Sequence, residues 1–263
     1  MRWHQRIIER HSHQPVACET ETPHTDLTEE YRQLKTLVNA IDSPIALSDM
    51  GGAEARCKDL EAFLVAISTN SAHPDIRKFL AAGYFDLGSA YRRMQRVAEA
   101  EKFYAEAIVL LKSLTELRKY KHFADSQLAA CKNHLGLLYM DCGPMEKAVA
   151  SLEEAIALRR GVASQDPDDL ENLVYLAGAI CNRAHMARDG GDTKAALPLY
   201  DEAITTLTEV IPKCGCEREQ AMAAALASAA GRPALFMIAH HFRANALDGR
   251  RALTSMNANE ANS

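Results

Sequence analysis

Two cysteines and two histidines are the residues of this chain whose types could form a metal site. Cys214 and Cys216 stand one residue apart, and His240 and His241 follow in a later helical segment. Thiolates and imidazoles are the ligands that zinc prefers, but this spacing matches no usual zinc pattern. The sequence therefore predicts no resident metal and no cofactor, and a metal-dependent enzyme at these four residues is kept as an alternative.

Three carboxylates around Pro167 are the other cluster that could do chemistry. Asp166, Asp168 and Asp169 stand immediately before an apolar helical segment. Acidic side chains at that place accept hydrogen bonds from the first helical N–H groups and lie at the positive end of the helix dipole. The sequence also lacks the phosphate-loop, dinucleotide, nucleophile-elbow, metalloprotease and calcium-loop motifs. We therefore predict capping aspartates and a protein that is not an enzyme.

Composition and charge exclude several classes of partner. The chain has 263 residues, of which 48% are hydrophobic and 25% charged, as in an ordinary folded protein. A net charge of −5 predicts neither a nucleic-acid surface nor a membrane surface. The sequence contains no apolar run of about 18 residues, which argues against a membrane-spanning helix. Seven cysteines without paired spacing indicate a reducing, cytoplasmic setting.

A helix pair that occurs three times is the strongest pattern in the sequence. In the first copy the residues of the facing helical stripes are Tyr84, Leu87, Gly88, Tyr91, Ala100, Tyr104, Ala107 and Leu111. Gly88 returns as Gly136 after 48 residues, and Ala184 takes the same place in the third copy. Glycine in a helix costs about 1 kcal/mol relative to alanine. Gly88 therefore predicts a close contact between the two helices.

The order of these residues resembles the tetratricopeptide repeat signature. The second copy matches it at Leu135, Gly136, Tyr139, Gly143, Ala148, Leu152 and Ala155, and the third at Ile180, Ala184, Ala196, Tyr200 and Ala203. The usual period is about 34 residues, so the period of 48 is longer than that of the family. Such long repeats are similar to those of kinesin light chains and of arrays attached to some bacterial Ser/Thr kinases.

The resemblance implies an all-α, right-handed solenoid of antiparallel helix pairs without a sheet. It also implies a non-enzymatic scaffold that binds a protein or peptide partner in a concave groove lined by the first helix of each pair. Carried over position by position, the groove residues are Phe85, Ser89, Arg92, Arg93, Asn133, Leu137, Met140, Asp141, Cys181, His185, Arg188 and Asp189.

Breaks in the helical pattern predict the domain organisation. We expect a disordered polar arm over 1–26, a helical hairpin or cap over 27–71 that is broken at Pro44 and at Gly51-Gly52, and repeats over 72–211. Within that region the three copies cover about 74–119, 122–163 and 168–211. Helices over 216–253 form a cap or a truncated repeat, and a disordered tail covers 254–263. A structural role, in which the terminal helices form a homodimer, is the alternative to partner binding.

Overall fold

The computed structural model describes residues 27–68, 72–215 and 234–260, and the regular elements in these ranges are helices without a strand. They are α1 Thr28–Ala46, α2 Met50–Ser68, α3 Pro74–Arg93, α4 Val97–Thr115, α5 Arg118–Cys142, α6 Met145–Gln165, α7 Leu170–Asp189, α8 Thr193–Val210, a 3₁₀ turn Ile211–Cys214 and α9 Leu235–Glu260. The all-α prediction is therefore confirmed for the described residues. The chain forms two compact units, and the boundary between them along the chain falls within α5, between residues 124 and 125.

The amino-terminal unit begins with the hairpin of α1 and α2, whose turn differs from the prediction. Pro44 lies inside the last turn of α1, and Gly51 and Gly52 lie inside the first turn of α2. The turn covers residues 47–49 instead, where Ser48 has a φ of 58°. The Asp49 carboxylate accepts a hydrogen bond from the Gly52 N–H at 2.9 Å. A Cβ at Gly52 would overlap the position of that exposed carboxylate, so a larger residue there would displace the Asp49 side chain.

The first repeat is the pair of α3 and α4, and it packs around Gly88. A Cβ at this glycine would lie 2.7 Å from the Tyr104 ring, which is fully buried. The close approach predicted from the sequence is therefore confirmed. The His73 side chain caps α3 by accepting a hydrogen bond from the Asp75 N–H at 3.2 Å, and Pro74 follows as the first helical residue.

Buried polar groups surround the first turn of α3. The Tyr120 hydroxyl donates a hydrogen bond to Asp75 Oδ1 at 2.9 Å. The Lys78 ammonium lies 4.7 Å from the centre of the Phe123 ring, and the residue is only 6% exposed. Burial lowers the pKa of Lys78 to about 8, because a charged amine loses its hydration there. The fold therefore keeps a lysine inside at a cost in stability.

The carboxy-terminal unit contains the second part of α5 and the helices that follow it. A Cβ at Gly136 would lie 2.6 Å from the side chain of Leu152 on α6. Arg159 links this pair to the next, because its guanidinium donates a hydrogen bond to the Asn172 side chain at 3.2 Å and both residues are buried. Asp169 caps α7 by accepting a hydrogen bond from the Asn172 N–H, which confirms the capping prediction for this residue.

Helix α9 packs against both helices of the third repeat. Two glycines allow this: a Cβ at Gly178 would lie 2.6 Å from the Phe242 ring, and one at Gly249 would lie 2.5 Å from the Tyr200 side chain. The helix continues to Glu260 instead of ending before a disordered tail at 254. After Gly249 the chain contains no glycine or proline that would stop a helix. The predicted arm over 1–26 lies outside the described residues.

Substituting alanine for Gly136 should destabilise the carboxy-terminal unit. The new methyl group would overlap the fully buried Leu152, and overpacking of this kind costs about 1–3 kcal/mol. Gly161 on α6 is the matched control, because a Cβ there would meet nothing within 4 Å. Gly161→Ala should instead add about 0.4–1 kcal/mol. Urea denaturation measures both values, and equal signs for the two substitutions would contradict the packing assignment.

Replacing Lys78 with methionine should raise the free energy of unfolding at pH 7 by about 1–3 kcal/mol. The folded pKa of Lys78 is about 8, below the roughly 10.4 of an ordinary lysine. The unfolded chain therefore binds more protons between these two values, and wild-type stability rises with pH across that window. We expect the advantage of Lys78→Met to shrink from pH 8 to pH 10 in urea titrations.

Lys58→Met is the control for this titration, because the Lys58 side chain is 67% exposed. It should change the stability little at every pH. A stability difference between wild type and Lys78→Met that stays constant over the whole range would show that the Lys78 amine is not desolvated.

Candidate functional site

The predicted groove residues of the first repeat are largely engaged within the amino-terminal unit. Phe85 is 3% exposed and its ring centre lies 5.8 Å from that of Tyr104. The Tyr104 hydroxyl donates a hydrogen bond to the Ser89 hydroxyl at 3.2 Å. Arg93 forms an ion pair of 2.7 Å with Asp42 on α1, and Arg92 is half-buried. The exposure expected of a groove side chain is therefore wrong for Phe85, which contributes to the core.

An amide pair joins α5 and α7 in the carboxy-terminal unit. The Asn182 side chain donates from Nδ2 to Asn133 Oδ1 at 3.0 Å, and both residues are half-buried. Leu137 and Met140 follow Asn133 at helical spacing and remain partly exposed. We call these four residues the amide face. Asn182 is absent from the predicted groove set because it stands 49 residues after Asn133, one position out of the 48-residue register.

Two of the predicted groove residues of α7, Cys181 and His185, form a chain of hydrogen bonds with Tyr200 on α8. Tyr200 Oη lies 2.7 Å from His185 Nδ1, and His185 Nε2 lies 3.3 Å from Cys181 Sγ. Cys181 is 3% exposed, so the exposure predicted for it is wrong as well. Arg188 forms an ion pair with Asp189 at 2.7 Å. The other two predicted residues of α7, Arg188 and Asp189, are not part of this chain of hydrogen bonds.

The chemistry of Cys181 and His185 is that of a packed interior. Burial raises the pKa of the Cys181 thiol to about 12, so the thiolate that a nucleophile or metal ligand requires is scarce. Burial, and secondly the positive charge of Arg188, lower the pKa of His185. A neutral imidazole between a thiol and a phenol can be fully hydrogen-bonded. These contacts assign His185 to holding α7 and α8 together.

A matched pair of positions recurs across the repeats, 15 residues apart. Ser89 pairs with Tyr104, His185 pairs with Tyr200, and the second copy places Leu137 and Leu152 at the same positions. Where the second helix of the pair has a tyrosine, the matched position on the first helix has a polar residue. Where the second helix has Leu152, the matched position has Leu137. This offset was readable in the sequence and distinguishes structural polar residues from available ones.

The cysteine and histidine cluster is only partly described. Cys214 Sγ lies 3.5 Å from the Val210 carbonyl oxygen at the end of the 3₁₀ turn, and His240 and His241 are exposed on α9. Cys216 lies outside the described residues. Burial raises the pKa of the Cys214 thiol, which favours the thiol over the thiolate. None of the described helices is both long and apolar enough to cross a membrane.

This geometry defines a class of fold: an all-α array of helix pairs that pack around small residues. Two family models described as "Tetratricopeptide repeat" match residues 81–110 and 128–169, which are the first and second predicted copies. These two stretches of the chain are therefore similar to tetratricopeptide repeats, as the sequence predicts. Its repeats are those of a protein–protein interaction module.

Two curated relatives from Bacillus subtilis (strain 168) share part of the sequence. The regulatory protein RapK is 34% identical over 91 residues, and the regulatory protein RapG is 32% identical over the same length. Each match covers 35% of this chain but only 22% and 23% of the relatives. A solved structure of kinesin light chain nearly identical TPR-like repeats from Podosopora anserina covers 91% of this chain and 100% of its own, with 18% identity and a TM-score of 0.46.

The hydrogen bond between Tyr200 and His185 should contribute about 1 kcal/mol to stability. We expect Tyr200→Phe and His185→Ala each to lower the free energy of unfolding. The sum of the two single-mutant losses in unfolding free energy should exceed the loss of the double mutant, because each single mutant already breaks the same hydrogen bond. Urea denaturation of the four proteins measures this coupling. Strict additivity would show that His185 is not held by Tyr200 and is free to face a ligand.

Proposed function

We propose that the amide face binds an extended segment of a partner protein. The observation that carries the proposal is the amide pair between Asn133 and Asn182, which is partly exposed and joins the first helices of two consecutive repeats. The proposal narrows the predicted groove to one part of the carboxy-terminal unit.

The two amides suit the backbone of an extended segment. Their mutual hydrogen bond uses one N–H of Asn182 and one acceptor position of Asn133. The Asn133 amide group and the Asn182 carbonyl oxygen therefore keep capacity for further hydrogen bonds. A peptide unit offers one carbonyl and one N–H, which match this donor and this acceptor. Recognition of this kind is independent of the side chains of the partner.

The remainder of the amide face supports some selectivity for the partner sequence. Leu137 and Met140 are partly exposed, and methionine adapts its shape to different apolar groups. On α7 the ion pair of Arg188 and Asp189 places both signs of charge at the end of the helix. We propose a ligand segment with an apolar side chain and a mixed charge. The two Bacillus relatives are named regulatory proteins, which supports a partner whose activity is controlled by binding.

The exposed side of α9 favours a cap over an assembly surface. Its exposed residues include His240, His241, Asp248 and Arg251, whereas Ala246 and Leu253 are fully buried against the third repeat. A polar outer face is what a terminal element of a repeat array requires. We therefore propose that the chain acts as a scaffold that presents its repeats to a partner. The predicted homodimer and cytoplasmic setting stay predictions.

The test compares three baits in affinity capture with quantitative mass spectrometry. The groove variant carries Asn133→Ala, Leu137→Ala and Asn182→Ala. The control variant carries Gln165→Ala, Thr205→Ala and Glu209→Ala, which are exposed positions on α6 and α8. Partners captured by wild type and by the control variant should be lost from the groove variant. With a purified partner we expect the affinity to fall about tenfold or more.

Thermal melting of all three baits accompanies the capture. The groove variant loses one interhelical hydrogen bond and part of the half-buried Leu137 side chain, so a decrease of about 1–3 kcal/mol in stability is expected. A folded groove variant that retains every partner of wild type would refute the proposed site.

A further inference from the structure

A concentration of positive charge lies where α3 and α5 begin in the amino-terminal unit. Residues 72–79 and 116–123 carry five cations and only the two carboxylates Asp75 and Glu116. The cations, which we call the basic face, are Arg77, Lys78, Arg118, Lys119 and Lys121. Arg118, Lys119 and Lys121 are among the first four residues of α5, and all three are exposed.

The first turn of α5 is an unfavourable place for cations. The amino-terminal end of a helix carries a partial positive charge, and each cation there opposes it. Helix α5 has no acidic residue in its first turn, which it shares with α2, α8 and α9, but its first turn carries three cations. The chain therefore places positive charge on α5 where the helix itself gains nothing from it.

Arg118 and Lys119 are not neutralised within the part of the chain that the structure describes. Neither forms an ion pair with a described carboxylate, and the Lys119 ammonium lies 5.5 Å from the centre of the Tyr120 ring. Several exposed cations elsewhere in the same unit are paired, among them Arg96 with Glu54, Lys102 with Glu61 and Lys58 with Glu54. The nearest carboxylate on α3, that of Asp75, accepts the hydrogen bond of Tyr120.

Lys78 adds a buried positive charge behind this turn. The pKa of Lys78 is lowered to about 8, mainly by burial; the negative charge of Asp75 opposes this shift and the positive charge of Lys119 adds to it. Lys119 and Lys78 are therefore close enough for their charges to repel. An anion on the basic face would relieve this repulsion and the unfavourable interaction with the α5 dipole together.

The tetratricopeptide repeat does not explain these residues. The two family models match residues 81–110 and 128–169 and leave residues 111–127 between them unmatched. Arg118, Lys119 and Lys121 lie in that gap, in the part of α5 that makes the helix 25 residues long. The cations therefore belong to the extension of the repeat and not to its packing signature.

We propose that the basic face is a docking surface for an acidic segment, rich in Asp and Glu, of a protein partner. The five cations lie at the beginnings of two neighbouring helices, α3 and α5. A short peptide is long enough to contact both of these helix ends. A nucleic acid is disfavoured because the whole chain carries a net charge of −5 and would repel a long polyanion. Binding depends on charge and is therefore sensitive to salt.

The experiment measures fluorescence anisotropy of a labelled eight-residue Asp/Glu peptide, with an Asn/Gln peptide of equal length as reference. The basic-face variant carries Arg118→Gln, Lys119→Gln and Lys121→Gln. The control variant carries Arg32→Gln, Arg56→Gln and Lys58→Gln, which removes the same charge from side chains that are 66%, 55% and 67% exposed in the same unit. All proteins are titrated at low and at tenfold higher salt.

We expect the acidic peptide to bind wild type and the control variant with similar affinity and the basic-face variant about tenfold or more weakly. High salt should weaken the wild-type complex, and the neutral peptide should not bind. The proposal is overturned if both variants lose affinity equally, if the neutral peptide binds as well, or if a DNA or RNA oligonucleotide binds more tightly than the acidic peptide.

The melting temperatures of the free proteins separate a binding role of the three cations from a structural one, because the two roles predict opposite changes. Removing cations from the positive end of α5 should keep or raise the melting temperature of the basic-face variant. A clear fall in that temperature, larger than the fall in the control variant, would show that the cations serve the fold and would overturn the proposal.

Discussion

Two helices approach with their backbones nearly in contact only where one of them lacks a bulky side chain at the crossing point. Gly88 meets the ring of Tyr104 and Gly136 meets Leu152 in this way, and Ala184 takes the same place in the third pair. Within each unit this contact orients one helix on its partner and thereby decides which side chains of the first helix remain outside. The amide face and the half-buried His185 of α7 both depend on it.

The sequence predicted the fold well because a repeated packing contact leaves a periodic signal. Gly88 and Gly136 could be recognised as equivalent from their spacing alone. The turn after α1 was misplaced because Pro44 and Gly52 were interpreted as helix breakers. Proline is tolerated in the last turn of α1, and Gly52 makes room for a capping carboxylate. Those roles depend on local geometry that residue type does not specify.

The candidate site was less predictable. The place of a residue in the repeat signature does not show whether its side chain is already packed or hydrogen-bonded inside the protein. Phe85 and Cys181 stand at groove positions, yet each is 3% exposed. His185 has the chemistry of a binding residue but is bonded to Tyr200. Asn182 was left out of the predicted groove set because its contact with Asn133 is out of register with the repeat. A set of first-helix residues was therefore identifiable, whereas the division into packed and available members required side-chain contacts.

The pairing of first-helix and second-helix residues has a consequence for how such a protein can diversify. Serine and histidine on the first helix each accompany a tyrosine hydroxyl on the second, while leucine accompanies leucine. A change at one member alone leaves a buried hydroxyl without a partner or a polar side chain against an apolar one. New binding specificity at these positions therefore requires two coordinated substitutions. The residues without such a counterpart, among them Met140, are free to vary one at a time.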